Sequence, residues 1–185
     1  MKGEKLKTTS LTLLLAVLVL SSCLLAEGEK AVSGGLELAL PTGDFGDVAG
    51  TGFGATGKFL YQFKPDIKIT GTTGYIMWTE KESAAFSYKY SVIPLKGGVR
   101  YYFTPNLYAV GELGIHIYMF SFEYQDYWTG QKVSDSDSDT EFGFAPGAGY
   151  EMPINENLDL DISLRYEIGD LDYLAFRVGL NFPLK

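Results

Sequence analysis

Leu158-Asp159-Leu160-Asp161-Ile162-Ser163-Leu164-Arg165-Tyr166-Glu167-Ile168, a short Gly169-Asp170-Leu171-Asp172 break, then Tyr173-Leu174-Ala175-Phe176-Arg177-Val178-Gly179-Leu180-Asn181-Phe182 is the stretch that decides the fold. Apolar and polar residues alternate strictly from Leu158 to Ile168. The pattern resumes with Leu174, Phe176, Val178, Leu180 and Phe182 opposite Ala175, Arg177, Gly179 and Asn181. A period of two is that of a strand with two unlike faces, and two such runs around a turn make a hairpin. Each run is about ten residues long, where an ordinary soluble strand has about five or six. An oblique membrane-crossing strand needs roughly nine to eleven. The expectation is a barrel with apolar residues towards lipid and polar residues towards the lumen.

The same pattern recurs upstream. Leu36, Leu38 and Leu40 alternate with Ser33, Gly35, Glu37 and Ala39, and Phe53 to Phe63 alternate with Gly54, Thr56, Lys58, Leu60 and Gln62. Ile67 to Met77 alternate with Lys68, Thr70 and Thr72, and Ile93 to Phe103 with Lys96, Gly98 and Arg100. Leu107 to Met119 stand against Tyr108, Glu112, Gly114, His116 and Tyr118, and Phe142 to Met152 against Gly143, Ala145, Gly149 and Glu151. With the terminal hairpin the count is eight, and an even number closes an antiparallel up-and-down transmembrane β-barrel. Loops are expected at Pro41 to Gly50, Thr79 to Tyr88, Ser121 to Asp139 and Gly169 to Asp172. Three proline-bearing turns, at Lys64-Pro65-Asp66, Thr104-Pro105-Asn106 and Pro153 to Asn157, close the other end. In outer-membrane barrels short turns are periplasmic and longer loops extracellular, which puts both termini in the periplasm. Two aromatic girdles are expected, with Tyr61, Phe63, Tyr101, Phe103, Tyr150 and Phe182 at the turn end and Tyr75, Trp78, Phe142, Tyr166 and Tyr173 at the loop end.

Residues 1–26 read as an export signal, with Lys2, Lys5 and Lys7 before the apolar run Leu11 to Leu20, which is too short to span a bilayer. Residues 27–185 then form the barrel domain. Leu20-Ser21-Ser22-Cys23 has the form of a lipobox, and Leu24-Leu25-Ala26 that of an ordinary cleavage site, so both remain open for Cys23. Cys23 is the only cysteine, so the barrel has no disulfide. From Glu27 onward the formal charge is −10, which does not suit nucleic acid.

The face assigned to the lumen carries Lys58, Lys68, Lys96, Arg100, Arg165 and Arg177 beside Glu37, Glu112, Glu151, Asp159, Asp161 and Glu167. Six charges of each sign imply a neutralised network that fills the interior rather than an open pore. His116, the only histidine, excludes a multi-histidine metal site, and its place on the inward face makes it a partner for Glu112. Gly52-Phe53-Gly54-Ala55-Thr56-Gly57 matches a dinucleotide fingerprint by letter, but a strand follows where that motif needs a helix, so no cofactor is expected. Inward Gly52 and Gly54 instead relieve crowding. Ser134-Asp135-Ser136-Asp137-Ser138-Asp139 with Glu141 opens like a calcium loop but has Thr140 where glycine belongs and Pro146 where the closing glutamate belongs, so no metal is assigned. Contacts at the surface are expected from Tyr124, Tyr127, Trp128, Asp135, Asp137 and Asp139.

Gly35-Leu36-Glu37-Leu38 leading to Pro41-Thr42-Gly43, Ile93-Pro94-Leu95, Gly98-Val99-Arg100-Tyr101-Tyr102-Phe103, Gly147-Ala148-Gly149-Tyr150 and Arg177-Val178-Gly179-Leu180-Asn181-Phe182 together resemble the outer membrane protein β-barrel domain family, the small eight-stranded barrels of the OmpA and OmpX kind. The resemblance implies architecture and location, a barrel in the bacterial outer membrane in contact with lipid and lipopolysaccharide and handled by the barrel-assembly machinery. The residues themselves, with no visible triad, are read as a monomer without enzymatic activity that serves structure or meets a surface protein partner through its loops. Some eight-stranded barrels are lipid A deacylases with a His and a Ser two residues apart, but here Tyr118 follows His116 at that spacing. The family often ends on an aromatic residue, whereas Pro183-Leu184-Lys185 follow Phe182. Two other readings are a lipocalin-like soluble or lipidated barrel with a small apolar ligand and a lipid-modifying enzyme. The first requires an apolar lumen.

Overall fold

The computed structural model describes residues 28–80, 87–125 and 132–184. Eight strands run in chain order around a closed antiparallel ring: β1 (Lys30–Pro41), β2 (Ala49–Lys64), β3 (Ile67–Glu80), β4 (Ser87–Tyr102), β5 (Leu107–Gln125), β6 (Lys132–Asn155), β7 (Leu158–Glu167) and β8 (Tyr173–Leu184). β1 pairs with β8 from Lys30↔Leu184 to Pro41↔Tyr173, so the first and last strands close the ring. Closure leaves the membrane-crossing backbone groups paired without helices.

Alternation sets the two faces. Along β7 from Asp161 and along β8 as far as Asn181 every second residue is buried, and the residues between them are exposed or half-buried. The exposed ones are apolar: Leu36 is 73% exposed and Phe142 65%, with Leu113, Leu164, Phe176 and Val178 also on the outside. The buried ones include Arg100, Arg165, Arg177, Glu112, Asp161 and Glu167, each at 1% or less. A water-soluble protein arranges its residues in the opposite sense. An outside of this kind is solvated by hydrocarbon.

Four expectations are corrected. The 121–139 stretch is mostly not loop: β5 continues to Gln125 and β6 begins at Lys132, paired from Met119↔Ser138 to Gln125↔Lys132. Its composition reads as loop because a ribbon beyond the membrane needs no apolar face. The Pro41–Gly50 segment holds a six-residue helix, α1 (Gly43–Val48), which starts at a positive φ of 57° that glycine takes without a Cβ penalty. Pro153 lies within β6 at a register shift rather than in the turn, a place in a sheet where a residue without an N–H is tolerated. Trp78 and Tyr173 face inward, 4% and 0% exposed, and belong to no girdle. They share parity with inward Ile76 and Ala175, so the strand period overrides their position near the strand ends.

Candidate functional site

The lumen is built in two layers. In the half nearer the short turns, the charged residues form two ion-pair groups. Lys58 Nζ donates to Glu112 Oε1 at 2.6 Å, and Lys96 Nζ lies 2.6 Å from Glu167 Oε1 and 3.3 Å from Glu112 Oε2. Arg165 reaches Glu37 at 2.7 Å, Glu112 at 3.4 Å and Glu167 at 3.4 Å. Glu112 is thus the hub, shared by three cations and also accepting from Thr72 Oγ1 at 3.0 Å. Nearer the turns, Asp161 takes Arg100 at 2.8 Å, Arg177 at 3.0 Å and the Tyr108 hydroxyl at 2.6 Å. Glu151 takes Lys68 at 2.6 Å, Arg100 at 3.3 Å and Tyr102 at 2.7 Å. Thr56 joins the groups, donating to Glu37 and accepting from Arg177 Nε. Asp159 lines the turn-end mouth with Lys68, Glu151 and Asn181, around a cavity of about 80 Å³.

Small residues make room for the long ones. A Cβ on Gly35 would come within 2.8 Å of the Arg177 guanidinium, and one on Gly98 within 2.7 Å of the Glu112 side chain. Glycine at these inward positions is therefore a packing requirement of the network. Gly52 and Gly54 have the same role under Trp78 and Ile76. No nucleotide motif is formed there, since both lie within β2.

The half nearer the loops is apolar. Ala39, Phe45, Ala49, Ile76, Trp78, Val92, Tyr118, Tyr173 and Ala175 form one buried cluster, with Tyr90, Phe120 and Leu171 packed on it. Phe45, carried inward by α1, meets Trp78 edge-on with centroids 5.3 Å apart and Tyr90 at 5.7 Å, and Trp78 meets Tyr173 at 5.1 Å. Sequence reasoning missed this cap because it treated the loop-end aromatics as lipid anchors. Parity is the signal that finds it.

His116 sits where the layers meet. Its Nε2 lies 3.5 Å from Glu167 Oε2 and its Nδ1 3.3 Å from the Tyr118 hydroxyl. The expected partner Glu112 is already held by three cations, so Glu167 replaces it. Of the surface residues, Asp137 and Asp139 are exposed, Tyr124 and Asp135 lie in β5 and β6 with only their backbone described, and Tyr127 and Trp128 lie outside the described residues. Asp139, Glu141 and Asp170 bring carboxylate oxygens within 4.8 Å of one another at the loop end.

Chemically the lumen is occluded by paired charges below and packed rings above. A lipocalin's apolar cup is not what these residues build.

Comparison with solved structures gives the same architecture at low identity, and such likeness speaks to fold alone. Ail, the attachment invasion locus protein of Yersinia pestis, superposes with a TM-score of 0.63 at 18% identity, covering 86% of this chain and 100% of Ail. Ail has also been solved in complex with the heparin analogue sucrose octasulfate. OprG from Pseudomonas aeruginosa gives 0.56 at 13% identity over 85% of this chain and 96% of its own. Neisserial surface protein A gives 0.54 at 16% identity over 84% and 99%. No curated protein matches by sequence. The model of the outer membrane protein beta-barrel domain matches residues 12–182, and with the closed ring and the inverted faces this places the chain in that family of outer-membrane barrels.

Proposed function

We propose that this chain is a non-enzymatic, non-conducting outer-membrane barrel that presents its loop end outside the cell and meets other molecules there, with both termini in the periplasm and residues 1–26 removed on export. The observation that carries the reading is the doubly occluded lumen. Transport would need a path through it, and catalysis would need a reactive group open to substrate. His116, the residue with the best acid–base chemistry, is 1% exposed and held within the network.

What remains accessible is the loop end, and its charge is distinctive. Segments 42–50, 79–91, 121–141 and 169–172 hold twelve carboxylates against three lysines, so they carry −9 of the −10 found from Glu27 onward. The lumen balances six against six. A surface of that sign repels polyanions and steers cations towards it. The sulfated ligand seen on Ail is therefore a poor guide to this chain. Lipopolysaccharide contact through bridging cations and a surface protein partner fit the charge better.

The test has three arms. Unboiled protein from the outer-membrane fraction should migrate as a compact band that boiling shifts, and a single mobility in the soluble fraction would end the barrel reading. On intact cells, protease or an impermeant label should reach a tag inserted at 127–130 and miss one at the C-terminus; the reverse pattern would overturn the orientation. Steady conductance in planar bilayers would refute the claim that the lumen is closed.

A further inference from the structure

In the Ser134-Asp135-Ser136-Asp137-Ser138-Asp139 repeat, Asp137, Ser138 and Asp139 are exposed. Its strand, β6, is 24 residues long, and its neighbour β7 has 10. β6 pairs with β5 from Lys132 onward, but with β7 only from Gly147, with one isolated bridge at Phe144↔Ile168. Among the described residues, positions 132–143 therefore have a partner strand on one side only.

Backbone groups of an antiparallel strand point to its two sides in alternation. The Phe144 N–H and C=O both go to Ile168, on the β7 side. Those of residues 142, 140 and 138 point the same way, the first beside Gly169, where a Cβ would lie 3.7 Å from the Phe142 carbonyl oxygen, and the other two along the edge that β7 leaves unpaired. Yet two of these donors are occupied: the Ser138 N–H donates to Asp137 Oδ1 at 2.8 Å, and the Thr140 N–H donates to Asp139 Oδ1 at 2.8 Å. In each case the acceptor belongs to the residue just before. The repeat has the same period as the strand, so it sets an aspartate ahead of each edge-facing residue at 136, 138 and 140.

We propose that Asp137 and Asp139 guard this edge, occupying its donors so that the ribbon of one copy does not add to the ribbon of another. An unpaired strand edge is a template for association. Here an incoming strand would first have to displace the carboxylates. A second copy arriving antiparallel would also bring its own row of acids against this one, and like charges facing each other across strands are destabilising. The device depends on the edge alone and holds whichever compartment the loop end faces.

The experiment compares the full-length barrel in detergent with the D137T/D139T variant, which keeps strand-forming residues but removes both acceptors. The wild type should stay monomeric by light scattering. The variant should self-associate at a protein concentration at least tenfold lower than any at which the wild type does so. Adding Thr140→Pro, which deletes one edge donor, should return the variant to monomer. Heat-modifiability of each sample establishes that the barrel is closed, so misfolding is not mistaken for pairing. A closed D137T/D139T barrel that stays monomeric overturns the proposal. So does association that persists unchanged with Thr140→Pro, because it would use another surface.

Discussion

Glu112→Gln and Lys58→Met remove opposite ends of the same 2.6 Å ion pair, yet the network gives them unequal costs. Without Lys58, Glu112 still has Lys96 at 3.3 Å, Arg165 at 3.4 Å and the Thr72 hydroxyl at 3.0 Å. The loss is one charged hydrogen bond, worth about 1.5–3 kcal/mol. Without the Glu112 charge, Lys58 has no other carboxylate among its ion pairs with the described residues, and its side chain is 1% exposed. Leaving a buried charge without its partner costs about 3–5 kcal/mol. The order should thus be Glu112→Gln worse than Lys58→Met by roughly 2 kcal/mol, the difference between the midpoints of those two ranges. The double variant should recover part of the Glu112→Gln loss, because the stranded ammonium is gone, with a coupling of about 0.5–3 kcal/mol. Urea unfolding of the barrel in lipid vesicles, followed by tryptophan fluorescence and by gel mobility, measures all three. Equal single costs, or a double variant equal to the sum of the singles, would mean that the pair is not a hub contact and that the reasoning fails.

Leu113→Arg, on the outer face near the middle of the membrane band, should destabilise the lipid-embedded barrel by about 2–4 kcal/mol; little change in lipid, measured by the same unfolding, would refute the inverted faces. Gly98→Val should slow or prevent closure, since its side chain would grow into Glu112 Cγ at 2.7 Å and Thr70 Oγ1 at 2.8 Å, and overpacking of that kind costs about 1–3 kcal/mol. The check is the yield of heat-modifiable protein. Phe45→Ala should cost about 3–5 kcal/mol, as for a fully packed ring, and red-shift the emission of Trp78 by wetting it, but should produce no conductance because the ion pairs beneath remain. A conducting Phe45→Ala barrel would show that the cap alone closes the lumen.

The barrel was legible because its period of two runs through membrane and lumen alike, and one face of it is enforced by lipid. Glu37, Arg165 and Asp161 fell into place on parity alone. Their pairing did not, since Glu37 and Arg165 are 128 positions apart and only the curvature of the closed ring brings them to 2.7 Å. Trp78 and Tyr173 lie near strand ends, where a girdle is expected, but their parity turns them inward. The extension of β5 and β6 was hidden for another reason. Beyond the bilayer no solvent enforces an apolar face, so Ser136, Asp137 and Ser138 carry a strand in a composition that reads as loop.

The division of charge follows from the same physics. Inside the ring Glu37, Glu112, Glu151, Asp161 and Glu167 each meet a cation, because desolvating an unpaired ion costs several kcal/mol even after relaxation, and Asp159 is left half-buried at the mouth. Above the membrane no such constraint acts, and nearly all the net charge of residues 27–185 collects there. The aromatic cap separates these regimes. Phe45, Trp78 and Tyr173 exclude water from the mouth, which keeps the ion pairs beneath in a low dielectric where they hold their geometry. α1 delivers Phe45 for that purpose: Phe45 is the one buried residue of a six-residue helix that is too short to be stable by its own hydrogen bonds. Its anchor is the ring it places among the others. The cap thus shields the network, and part of the loop end, Phe45 and Leu171, is committed to it, whereas Asp44, Asp47, Asp137 and Asp139 stay exposed and leave the surface acidic.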